Sequence, residues 1–331
     1  MPPVNLALIG AGGFSRWHIT SVLKNPRRAR IVAVAEPSEA SRERVSGFFA
    51  EAGKQPPLFY DDYRELLKAD LGLDGACVLT PHKFHFEHAR AVLKAGLHVF
   101  VEKPMVLNAD EARKLIRVRD QAKRHLAIGF PSSYSGARDK ALKLLAGGFI
   151  GEVKAIQAFA QQDWARLTVG TWRQNPELSG GGFLFDTGSH MINTLVDLAG
   201  SPIAEVSALL DNDGTPVEIN SVVSGRFSNG ILFSMTGAGN AVNCQSDIFI
   251  FGTKGVLRTG IWGERLEHRK QGQPDFLPLP HRRQRNTVLC FIDLVSGKLT
   301  DNPCPAETGL RFAQMMDLIR QSADTGQRAT A

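Results

Sequence analysis

An apolar run, Leu6-Ala7-Leu8-Ile9, feeds directly into Gly10-Ala11-Gly12-Gly13, and an amphipathic stretch over 14–24 follows. Strand, glycine turn and helix in that order hold the pyrophosphate of a dinucleotide. Gly10 permits the tight turn, Gly12 lets backbone approach phosphate with no Cβ in the way, and the helix N-terminus supplies unpaired N–H groups with a partial positive charge. Gly13 and Phe14 belong to the same turn. Ser15 stands where a third Gly or Ala is usual and is small enough for close helix–strand packing. A second strand, 31–35, ends in Glu36, about twenty residues past the turn, where a ribose-diol acceptor belongs. The competing reading is a turn of structural use only; the matching pattern on both flanks argues for a cofactor. Glu36 favours NAD, with NADP as the alternative because Ser38 and Arg42 lie nearby.

The first 130 residues alternate strand and helix. Helical spacing covers 38–52 with Ser38 as N-cap, a helix follows Asp61-Asp62 to 68, another spans 82–95 with Gly96 closing it, and Asn108 caps a fourth over 109–123. Strands fall at 58–60, 74–80, 97–101 and 126–130. Repeated βα units imply a parallel, doubly wound sheet. Beyond that point the pattern changes to many strands, at 153–164, 204–210, 217–227, 231–236, 247–251 and 255–259, with Asn229-Gly230 as a hairpin turn and few helices, at 186–199, 286–296 and 306–323. The expected fold is therefore α/β: an N-terminal Rossmann domain over 1–128, with the 306–323 helix as a candidate to pack back on it, and an α+β domain over 129–331 with an open, mostly antiparallel sheet.

A chain of 331 residues with 43% hydrophobic content accommodates two such cores. The net charge of +6 is spread among acidic residues, and the clusters Arg27-Arg28-Ala29-Arg30 and His281-Arg282-Arg283-Gln284-Arg285 lack interleaved aromatics, so solvated surface is favoured over a nucleic-acid partner. An anionic ligand stays open for the second cluster. No apolar stretch reaches membrane-spanning length, and no charged-then-apolar leader opens the chain. Cys77, Cys244, Cys290 and Cys304 form no C-x-x-C pair, which reads as free thiols in a reducing, cytoplasmic setting.

Three clusters look chemical. Glu102-Lys103-Pro104 follows the strand at 97–101, and ligands of open α/β sheets lie outside the carboxyl strand ends; Pro104 is a candidate for a cis bond, and a surface Glu-Lys turn is the bland alternative. Gly180-Gly181-Gly182 leads into Asp186 and His190, which share a face at i, i+4 on the expected helix; a merely hydrogen-bonded structural pair competes. Thr80-Pro81-His82-Lys83-Phe84-His85 sits at another strand end, and with no third ligand at metal spacing it suggests loop contacts to the cofactor rather than a metal site. Trp172 and Arg173 line a polar pocket or cap the core.

Together these residues resemble the glucose-fructose oxidoreductase/inositol dehydrogenase family, Gfo/Idh/MocA. The likeness runs through Gly10-Ala11-Gly12-Gly13, Thr80-Pro81-His82, His85, Gly96 to Pro104, Trp172-Arg173, Gly180 to His190 and Ile250 to Gly255. It implies a nicotinamide-dependent dehydrogenase or reductase acting on a CH–OH group of a sugar, polyol or sugar derivative. His190 resembles the family's general base, Lys103 the cation on the reacting oxygen, and Asp186 the carboxylate that orients the pair, with Trp172 and Arg173 toward substrate. The sequence departs from the pattern at Pro131-Ser132-Ser133-Tyr134, where many members carry Arg, and at Glu218-Ile219-Asn220, where many carry an acid followed by Asp. A homodimer or homotetramer joined sheet to sheet is expected. The alternative function is a catalytically idle dinucleotide-binding sensor, against which Lys103, Asp186 and His190 argue.

Overall fold

The structure, a computed structural model, describes residues 2–331, which divide into two compact units. The first comprises the chain through Gly129 together with Asn286–Gly309. Its sheet has six parallel strands: β1 (Val4–Ile9), β2 (Ala29–Ala35), β3 (Leu58–Tyr60), β4 (Gly75–Val78), β5 (His98–Val101) and β6 (Leu126–Ile128), in the order β3-β2-β1-β4-β5-β6. Leu6, Ala7, Leu8 and Ile9 are fully enclosed, because a parallel sheet clad on both faces buries both sides of its central strands; that is why β1 reads as an unbroken apolar run. The order reverses between β1 and β4, and the loops after these two strands open the crevice in which such sheets bind ligands.

Helices Ser15–Leu23, Glu39–Glu51, Tyr63–Lys68, His85–Lys94 and Ala109–Ala122 alternate with the strands. Asn108 caps the last of these, its side chain accepting from Glu111 N–H at 2.9 Å. Ser38 occupies an N-cap position but makes no side-chain cap bond; its own N–H is instead given to Glu36 Oε1 at 3.0 Å. The helix expected from residue 82 begins with a 3-10 turn, His82–Phe84, before the α-helix proper.

The late segment that joins this unit is Asn286–Gly309. Helix Thr287–Val295 contributes Val288, Phe291, Ile292 and Leu294 to a core containing Leu6, Val34 and Phe100. Arg28 pairs with Asp293 at 2.7 Å and Arg119 with Glu307 at 2.7 Å. The sequence alone assigned this stretch to the second domain and looked to 306–323 for the return. Helix Ala306–Thr325 in fact spans the division, with Leu310 onward in the second unit.

The second unit, Phe130–Arg285 and Leu310–Ala331, is built on a nine-stranded sheet. Its strands are β7 (Val153–Asp163), β8 (Ile203–Asp211), β9 (Asn220–Phe227), β10 (Leu232–Ala238), β11 (Asn240–Gly252), β12 (Gly255–Thr259), β13 (Leu266–Lys270), β14 (Leu277–Pro278) and β15 (Ala329–Thr330), ordered β14-β13-β12-β11-β7-β10-β9-β8-β15. β7 and β10 pair in parallel, and every other strand pair of this sheet among the described residues is antiparallel. Alternation places Val223, Met235, Ala158 and Ile248 in one buried row across neighbouring strands. On the other face Leu209 and Val222 are cross-strand partners, 75% and 55% exposed.

Candidate active site

In the first unit the glycine turn is shaped by sterics. Gly10 has φ +87°, and a Cβ there would stand 2.7 Å from the Thr80 methyl, so this position takes glycine for both conformation and space. Gly12 and Gly13 face open space: a Cβ on either meets nothing within 4 Å. That clearance, in front of the N-terminus of helix Ser15–Leu23, fits a pyrophosphate. Phe14 is exposed at the turn, while Ser15 is buried beneath it and its N–H donates to Gly12 O at 3.0 Å. Glu36 Oε2 accepts from Ala11 N–H at 2.7 Å. Arg42 is held by the Glu36 carbonyl at 2.6 Å and by the Asp61 carboxylate.

The loops after β4 and β5 are joined by histidine. His85 is fully buried; its Nδ1 lies 2.7 Å from Pro104 O and its Nε2 2.8 Å from Thr80 O. Burial holds its imidazole below the usual pKa, opposed by those two carbonyls and by Glu102. His85 thus sits between the ends of β4 and β5, its one N–H in the neutral ring available to one of these two carbonyls. Thr80 Oγ1 lies 3.1 Å from His88 Nδ1, and His82 is buried beside its loop. The Lys103–Pro104 bond is cis. Glu102 Oε1 lies 2.8 Å from Nε2 of His18, a fully buried residue of helix Ser15–Leu23, and Glu102 Oε2 accepts from Lys103 N–H at 3.2 Å. Sequence reading missed His18; the available signal was a histidine on the buried face of the helix that follows a phosphate turn. Among the described residues no group of three or more His, Cys, Asp or Glu is placed to hold a metal ion.

In the second unit Asp186 and His190 do not share one regular helix. Asp186 ends the short helix Phe183–Asp186, and His190 lies in the first turn of helix Gly188–Ala199, with Thr187 between them at helical dihedrals (φ −73°, ψ −42°). Upstream, Gly182 lets the chain approach Glu218 closely, since a Cβ there would collide with the Glu218 carbonyl. Asp186 Oδ2 accepts from Trp164 Nε1 at 2.9 Å and Arg173 Nε at 3.0 Å. The Arg173 guanidinium lies 4.6 Å from the Trp172 ring centroid. Asp186 and His190 are both buried, and the His190 ring meets Phe130 edge-on at 5.9 Å and Trp262 at 6.0 Å. Lys103 and the cradle thus belong to the first unit, and Trp172, Arg173, Asp186 and His190 to the second.

A 3-2-1-4-5-6 parallel sheet with an unobstructed glycine turn and an acid at the end of its second strand defines a dinucleotide-binding Rossmann protein. The profile of the GFO_IDH_MocA oxidoreductase family, NAD-binding Rossmann fold, matches residues 4–130, and that of the GFO/IDH/MocA C-terminal domain matches residues 139–258. The chain belongs to this oxidoreductase family, and its first unit carries the family's NAD-binding domain. It is similar to 1-carboxy-3-chloro-3,4-dihydroxycyclohexa-1,5-diene dehydrogenase of Comamonas testosteroni, 27% identical over 72% of this chain and 58% of the relative. It is also similar to D-glucoside 3-dehydrogenase of Escherichia coli K12, 28% identical over 60% of this chain and 55% of the relative. The chain thus spans little more than half the length of these relatives. In fold it matches an inositol dehydrogenase homologue from Azotobacter vinelandii, crystallised with NAD+, at a TM-score of 0.85 and 20% identity, covering 100% of this chain and 98% of that one.

Proposed function

We propose that the protein is an NAD-dependent dehydrogenase, or a reductase in the opposite direction, acting on a secondary alcohol or ketone of a sugar, polyol or sugar derivative. The carrying observation is the His18–Glu102 hydrogen bond, which ties the helix following the glycine cradle to the turn that presents Lys103. A lysine anchored to the cofactor cradle is suited to meet an oxygen that gains negative charge during the reaction. Gly10, Gly12, Gly13, Phe14 and Ser15 hold the dinucleotide phosphates and Glu36 the ribose, with Thr80, Pro81 and His82 beside them. Bound NAD supplies the two-electron acceptor, the part of the chemistry no side chain provides.

His190 takes the hydroxyl proton. Lys103 donates a hydrogen bond to the same oxygen and stabilises its developing charge. Asp186 orients this pair, and its own position is set by Trp164 and Arg173. Trp172 and Arg173 face substrate. The names of the two relatives, a glucoside dehydrogenase and a dehydrogenase of a dihydroxylated ring compound, support a polyhydroxylated substrate. The exposed pair Leu209 and Val222 supports a sheet-to-sheet homodimer or homotetramer, and widely spaced cysteines with no C-x-x-C pair support a cytoplasmic setting.

A panel of sugars, polyols and their ketones, followed at the NADH absorbance, tests the assignment. Turnover of at least one member with NAD(H) is expected. Tight NAD(H) binding without turnover across the panel would replace it with the idle-sensor alternative.

A further inference from the structure

The glycine turn before Asp186 is held by two charged groups that the proposed chemistry does not use. Glu218, two residues before β9, applies its carboxylate to main chain: Gly182 N–H donates to Oε2 at 2.5 Å and Phe185 N–H to Oε1 at 3.2 Å. The Glu218 carbonyl in turn accepts from Phe183 N–H at 2.8 Å. These N–H groups lie at the start of a four-residue helix, where no intrahelical acceptor is available. Arg320, from helix Ala306–Thr325, donates to Gly180 O at 2.7 Å, and its guanidinium lies 4.8 Å from the Phe185 ring centroid. The segment 180–185 is thereby fastened at Gly180, Gly182, Phe183 and Phe185, leaving little freedom for the residue that follows, Asp186.

We infer that Glu218 is a positioning residue: it fixes the turn from which Asp186 and His190 are presented. This rests on the reading of Asp186 and His190 as acid–base groups. A carboxylate is required because it accepts at both oxygens. A Gln amide offers one acceptor and one NH2, which would face an N–H it cannot satisfy.

The test compares full-length Glu218→Ala, Glu218→Gln and His190→Ala on a substrate identified in the panel. Displacing a catalytic group by about 1 Å costs about 10²-fold in rate, so kcat should fall by about that factor in Glu218→Ala and by about tenfold in Glu218→Gln. NAD(H) affinity should stay within about twofold in both, since uniform binding is untouched. The same variants are read without substrate through the imidazole NMR signal of His190 and the amide exchange of 182–186: both should change in each Glu218 variant, more in Ala than in Gln. Near-native kcat, or an unchanged His190 titration with unchanged exchange, in either variant overturns the inference; should the Ala variant not fold, the Gln variant decides on the same criteria. Full turnover in His190→Ala would instead defeat the acid–base reading, while an inactive His190→Ala beside a fully active Glu218→Ala defeats only the positioning role.

Discussion

Glu36 accepts a hydrogen bond from the backbone N–H of Ala11 at 2.7 Å, so the acid at the end of the second strand is fastened to the glycine turn itself. The acid and the glycine turn are therefore fixed to one another. Its second oxygen takes Ser38 N–H at 3.0 Å, which fixes the carboxylate's direction.

Cofactor choice follows from that arrangement. A fixed carboxylate accepts from a ribose diol and repels a 2′-phosphate, while Arg42, the nearby cation, is already engaged by Asp61. Titration with both dinucleotides should give tighter binding of NAD(H). Glu36→Ser should weaken NAD(H) and narrow the gap. Tighter NADP(H) binding by the native protein would contradict the assignment.

The two glycine positions of the turn should separate fold from ligand. Gly10→Ala places a side chain at φ +87° against Thr80, and the backbone cost together with overpacking comes to about 2–4 kcal/mol of stability. Gly12→Ala meets only open space, so its melting temperature should be unchanged while NAD(H) binding weakens. Equal stability losses in the two variants would mean that the open face of the turn is not where phosphate approaches.

Removing the proposed acid–base groups should leave binding and slow turnover. Lys103→Ala and His190→Ala are each expected to lower kcat by about 10²–10⁴-fold with NAD(H) affinity retained. Steady-state kinetics and fluorescence titration measure the two quantities separately, and near-normal turnover in either variant would place the chemistry on other residues.

Acid sensitivity should come from two histidines. Burial lowers both His88 and His98 to about 4, with His125 and Arg124 adding to the effect at His98. A histidine whose folded pKa lies below its unfolded value of about 6.5 binds fewer protons folded than unfolded between those limits, so stability rises with pH across that window. The contribution is complete above about 6.5 and is lost as pH falls toward 4. Thermal melts should show this decline, and His88→Gln/His98→Gln should flatten it; an equally steep profile in the double variant would assign the effect elsewhere.

Assembly has its own test. Leu209 and Val222 form one apolar pair on the open sheet face, and burying it against a second copy would remove exposed hydrocarbon from water. Light scattering should give a dimer or tetramer at micromolar concentration, and Val222→Asp should shift the mass toward the monomer. A native protein that is monomeric in low and physiological salt would exclude this interface.

Much of the first unit was legible because its signals are local. The run into Gly10, Glu36 at the end of β2 and Asn108 before its helix each act within a few residues. What stayed hidden depends on partners distant in sequence. Helix Thr287–Val295 is apolar on nearly all sides, which announces burial but not which core receives it. β13, Leu-Glu-His-Arg-Lys, carries no apolar alternation and is a strand because β12 pairs with it. The anchoring of the turn before Asp186 could not be read from the i, i+4 spacing of Asp186 and His190, because its partner, Glu218, lies 36 residues from Gly182.

The division of the first unit into two stretches of chain sets the order in which the protein can be made. During synthesis Val4 to Gly129 emerges first, yet Val288, Phe291, Ile292 and Leu294, which complete the packing around Leu6, Val34 and Phe100, arrive only after the 156 residues of Phe130–Arg285. A nascent chain halted at Arg285 carries a dinucleotide cradle above an unsealed seam of hydrocarbon. Such a seam attracts chaperones and misassembly until the closing helix is released. Completion of the first unit's core therefore requires residues that follow the Phe130–Arg285 segment in the chain.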